Sequence, residues 1–66
     1  ELLVVEETRR VGRDATIQVG GRVFEVDPAL AGERVVARFN PAEVSRVQVR
    51  PVSNSSAPFV PAFPVR

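Results

Sequence analysis

Arginine and carboxylate side chains carry nearly all the chemistry open to this 66-residue chain, which holds nine arginines, eight acidic residues and no lysine, histidine or cysteine. Without histidine the usual general base and the usual zinc ligand are missing, and without cysteine there is neither a thiolate site nor a disulfide framework. Ser45 and Ser53 have no histidine or lysine to activate them as nucleophiles. Asp14 and Asp27 each stand at a turn, where capping accounts for them, and no cluster of oxygens gathers around either in the sequence. Gly20-Gly21 separates two alternating runs, so it is a hairpin turn rather than a phosphate-cradling loop. The residues point away from an enzyme, and no cofactor or metal is expected in this fragment.

The arginines remain. Arg34, Arg38, Arg46 and Arg50 fall on outward positions of alternating stretches, and Arg9, Arg10 and Arg13 make a second group. A guanidinium fork suits phosphate, and phosphate contacts dominate nucleic-acid affinity. Arg38, Arg46 and Arg50 are the expected contacting strip, with Arg9 and Arg13 second. The formal charge is only +1 despite a pI near 9.4. Charge balance alone therefore favours a solvated face, with Glu25, Glu33 and Glu43 as counter-charges. No aromatic residue is interleaved on those stretches as a stacking platform, which argues against a single-strand binder.

The elements that must position these groups follow from period-two alternation. Thr16 to Val26 is the clearest: two alternating runs flank Gly20-Gly21, the signature of a two-residue hairpin turn. That register puts Ile17 opposite Phe24 and Thr16 opposite Glu25, with Ala15, Ile17, Phe24 and Val26 on one face. Residues 1–5 read as a linker, and Glu6 to Val11 as a first strand. Arg34 to Phe39 turns Val35, Ala37 and Phe39 inward, and Val44 to Val52 does the same with Val47 and Val49. Asp27-Pro28 and Asn40-Pro41 each suggest one turn of helix, the second closed by Glu43 in a capping box. Four or five short strands with turn signals between them predict an all-β small barrel, closed or partly open, over residues 1–52.

Residues 53–66 differ in texture. Ser53 to Ser56 is loop-like, and Pro58, Pro61 and Pro64 then recur at the polyproline II period. The expectation is an irregular tail outside the barrel, unable to serve as a central strand. Phe59 and Phe63 would anchor it on something other than its own barrel, so that removing residues 57–66 leaves the barrel folded. The chain starts at Glu1 and contains no signal peptide or membrane-length apolar run, which predicts a piece of a longer cytoplasmic protein.

The run Arg9-Arg10-Val11-Gly12-Arg13-Asp14-Ala15, the hairpin to Val26, Gly32-Glu33-Arg34-Val35-Val36, Phe39-Asn40-Pro41 and Val44-Ser45-Arg46-Val47 occur together in this order. This arrangement resembles the C-terminal β-barrel domain of Mu-type DDE transposases and integrases, over roughly Glu6 to Arg50. Ala15 stands where glycine is common in the family, Phe24 where tyrosine is, and Asn40 and Val44 where aspartate and leucine are. Each exchange keeps the physical role of its position.

The resemblance implies that the acidic catalytic domain lies upstream in the parent chain, and that this barrel is non-catalytic. It implies a part in holding DNA and sister transposase subunits during transposition. Sequence beyond the barrel can engage a partner ATPase in such transposases, which draws attention to Phe59 and Phe63. The competing expectation is an SH3-like protein-interaction module with no nucleic-acid role.

Overall fold

The alternation of small β-branched residues with charged ones becomes six strands in a computed structural model, which describes residues 3–65. They are β1 (Val5–Arg10), β2 (Thr16–Val19), β3 (Arg22–Glu25), β4 (Arg34–Phe39), β5 (Val47–Pro51) and β6 (Val60–Pro64). All pairings are antiparallel, in the order β1-β4-β5-β6-β3-β2. The two outermost strands, β1 and β2, approach each other and nearly close a barrel. Val5, expected in a linker, already pairs with Phe39.

The β2–β3 hairpin has the predicted register, Ile17 opposite Phe24 and Thr16 opposite Glu25. Its turn needs left-handed backbone at both central positions, and Gly20 and Gly21 hold φ of 59° and 77°. Alternation also holds in the core. Ala15, Ile17, Phe24, Val26, Val35, Ala37, Phe39, Val47 and Val49 are all buried as their parity requires. Val11, Val19 and Ala62 join them.

Asp27 accepts from the Ala29 amide at 2.9 Å and opens a single 3-10 turn at Pro28–Leu30. The second expected helical turn is absent. Asn40 Oδ1 does accept from the Ala42 amide at 2.9 Å, but the segment stays a turn. Glu43 does not close a capping box; its Oε2 accepts from the Ser45 hydroxyl at 3.4 Å.

The proline-rich stretch departs most from expectation. Rather than lying outside the barrel as an irregular tail, it supplies β6, which sits between β5 and β3. Three prolines lie in β5 and β6, and register explains why the ladder tolerates them. The first half of β6 pairs with β5 (Val47 with Ala62, Val49 with Val60), and the second half with β3 (Glu25 with Phe63, Phe24 with Pro64). The Val65 amide donates to the Val23 carbonyl at 2.9 Å, so odd-numbered β6 residues turn their amides toward β3 and even-numbered ones toward β5. Pro61 would aim its missing donor at β3 beyond the end of that strand, and Pro64 at β5 before its start. Pro51 likewise faces β6 ahead of Val60, since the Val52 amide pairs with Arg34 on the other side. Each proline occupies a site where the ladder asks for no donor.

Candidate nucleic-acid interface

Parity that sends the valines of β4 and β5 inward sends their arginines outward. Arg34 and Arg38 share the outer face of β4, and Arg50 lies opposite Val36 on β5. β1 adds Arg10, placed directly opposite Arg34 in the β1–β4 register. Two like charges in a direct cross-strand pair destabilise a sheet unless something of opposite charge is near. Among the described residues the single ion pair is Arg9 with Glu7, within β1, so none of these outer arginines forms one, although Glu6 stands directly opposite Arg38 on the same face. The sequence pattern singles out Arg38 and Arg50 but not the Arg10–Arg34 opposition, which depends on how β1 registers against β4.

The predicted strip is only partly continuous. Arg38 and Arg50 are brought together, while Arg46 is exposed just before β5, beside the groove that Phe63 and Pro61 border. Arg13 is exposed in the turn between β1 and β2. Arg9 has a different occupation. It lies at the seam, opposite buried Val35, and its Nε donates to the Gln18 carbonyl of β2 at 3.2 Å. Its Nη1 donates to the Thr8 carbonyl at 3.0 Å, and its Nη2 to Glu7. Arg9 thus ties the two free edges of the barrel, and its donors are largely spoken for.

The tail phenylalanines part company. Phe63 is 61% exposed on the outer face of β6. Phe59 instead folds back over the barrel's own arginines, half-buried, with the Arg50 guanidinium carbon 4.7 Å from its ring centroid and that of Arg38 at 5.4 Å. The expectation that both rings dock away from their own barrel therefore fails for Phe59. The basic face also contains an aromatic ring after all, contributed from beyond the strands that carry the arginines.

Residues 1–55 match the family Mu transposase, C-terminal. The chain belongs to this family. No curated protein matches it. For a Mu transposase C-terminal domain, the matched span ends before Phe59 and before β6, although both are integral to the barrel face and its closure. Among the described residues no three acidic, histidine or cysteine side chains gather as a metal site, and no helix is long and apolar enough to cross a membrane.

Proposed function

We propose that this domain is the non-catalytic C-terminal barrel of a cytoplasmic DDE transposase or integrase, gripping DNA through its phosphates and contacting other transposase subunits. The observation that carries the reading is the outer face of β1, β4 and β5. Arg10, Arg34, Arg38 and Arg50 share that face with one carboxylate, Glu6 opposite Arg38, and none of the four forms an ion pair among the described residues; Arg10 and Arg34 are directly opposed. A polyanion relieves that opposition. The family supports the same assignment, since a transposase domain works on DNA and with sister subunits.

The mechanism is electrostatic gripping rather than reading of sequence. Guanidinium forks on a convex sheet face meet phosphodiesters, release condensed counterions and set the orientation of the duplex. Arg38 and Arg50 are the proposed centre of the grip, with Arg10 and Arg34 on the same face, and exposed Arg46 and Arg13 are proposed as further phosphate contacts. Arg9 contributes through closure of the barrel. Exposed Phe63 is the group best suited to a protein partner, either a sister subunit or a partner ATPase.

Fluorescence anisotropy with duplexes of unrelated sequence tests the reading. The 66-residue chain should bind them equally and weakly, with affinity falling linearly in log salt. Changing Arg38, Arg46 and Arg50 together to glutamine should weaken every duplex alike, and each lost phosphate contact should flatten the slope by about 1. Binding that is undetectable at low salt, or unchanged in the triple variant, would overturn it.

A further inference from the structure

Phe59 lies outside the matched family span, yet its ring packs against Arg38 and Arg50 at the middle of the basic face. Arg38 and Arg50 come from different strands and are diagonal neighbours, Arg38 opposite Gln48 and Arg50 opposite Val36. Bringing two guanidiniums onto one ring sets like charges side by side. The negative face of the ring offsets part of that repulsion; Glu6 stands opposite Arg38 in the β1–β4 register without forming an ion pair, and Arg50 has no ion-pair partner among the described residues. A guanidinium fixed by a ring keeps the N–H donors on its rim free, and its long stem has less freedom left to lose when a ligand binds.

We propose that Phe59, Arg38 and Arg50 form a phosphate clamp, in which the ring holds the two guanidiniums poised to share one phosphodiester of duplex DNA. The inference rests on the DNA-gripping reading above and adds a positioning residue to it. Phe59 touches no phosphate; it acts through the arginines. The prolines on either side of the ring serve the same end. Pro58 and Pro61 restrict the backbone where it returns from the Ser53 to Ser56 loop into β6, so the ring arrives on the face with little freedom of its own.

The test compares Phe59→Leu, Phe59→Tyr, Arg38→Gln and Arg50→Gln in the 66-residue chain, with duplex affinity, salt slope and the arginine Nε–H resonances as readouts. In the unbound wild type, ring currents should displace the Arg38 and Arg50 Nε–H signals, and inorganic phosphate should move these two before those of other arginines. Phe59→Leu should abolish the displacement and lower duplex affinity on the order of threefold to tenfold, while Phe59→Tyr keeps both. The loss should not add to that of Arg38→Gln, because both remove the same contact. Unchanged affinity in Phe59→Leu, alongside weakened arginine variants, would sink the clamp and leave DNA gripping intact. Tighter binding in Phe59→Leu would show that the ring blocks the face, which also overturns it. If Arg38→Gln and Arg50→Gln bind like wild type, DNA gripping by this face fails, and the clamp with it. Should Phe59→Leu not fold, the phosphate titration of the wild type decides: movement of other arginines first rejects the clamp.

Discussion

Gly20 and Gly21 differ in what a side chain would meet. Both hold left-handed backbone, so alanine at either position takes on strain of about 1 kcal/mol. A Cβ at Gly21 has nothing within 4 Å, whereas one at Gly20 would lie 2.8 Å from Val44 Cγ2. Val44 caps the end of the core from the connection between β4 and β5, so Gly20 is also a packing residue. Gly20→Ala should therefore cost at least about 1 kcal/mol more than Gly21→Ala, a further drop of about 4–8 °C in thermal midpoint for a domain this small. Shaving the wall with Val44→Ala should remove most of that difference in a double-mutant cycle. Equal midpoints for the two single variants would show that the contact carries no energy. Ala15 illustrates the opposite balance. It holds φ of 61°, where glycine would carry no side-chain strain, but its methyl group is buried. Burial of one carbon offsets about 0.8 kcal/mol of the left-handed penalty.

Among the elements, the hairpin and the faces of β4 and β5 were legible because they are local. Val35, Ala37 and Phe39 alternate with Arg34, Val36 and Arg38, and parity alone fixes which way each points. β6 was not legible. Whether a proline can sit in a ladder depends on which neighbour its nitrogen faces and where that neighbour ends, both of which are settled by strands distant in sequence. Pro61 and Pro64, three apart, lie on opposite edges of β6, each past the end of the strand it faces. The same limit hid the site's ring: nothing near Arg38 or Arg50 in the sequence announces that Phe59 returns to them. The ladder argument makes a sharp prediction about position. Pro61→Ala leaves all existing β6 hydrogen bonds intact and should change stability by no more than about 1 kcal/mol. Exchanging the pair, Pro61→Ala with Ala62→Pro, puts the missing donor against β5 and leaves a buried carbonyl unpaired, at about 1–3 kcal/mol beyond the single change. Urea denaturation measures both. If the exchanged variant is as stable as Pro61→Ala, the amide directions assigned to β6 are wrong.

At the scale of the whole molecule, β6 decides whether there is a barrel. Without it, the strands fall into a three-stranded sheet (β1, β4, β5) and a two-stranded hairpin (β2, β3), with no backbone ladder between them. The seam on the opposite side cannot replace it, since β1 and β2 are tied there by the Arg9 side chain. A lone hairpin is marginal in water, and a domain of this size has little net stability to spare. Deleting residues 57–66 should therefore abolish cooperative thermal unfolding, contrary to what the proline texture alone suggests. It should also expose the facing edges of β5 and β3, which invites self-association. The deleted segment can be returned as a free peptide. Because β6 contributes ladder bonds to both neighbours and the buried Ala62, the peptide should fit the gap by strand addition and restore a cooperative transition whose midpoint rises with peptide concentration. A peptide carrying Ala62→Pro should fail, since it lacks the donor aimed at β5. A truncated chain that still melts cooperatively as a monomer would mean that the two sheets hold together without β6, and that the barrel closes by its side chains alone.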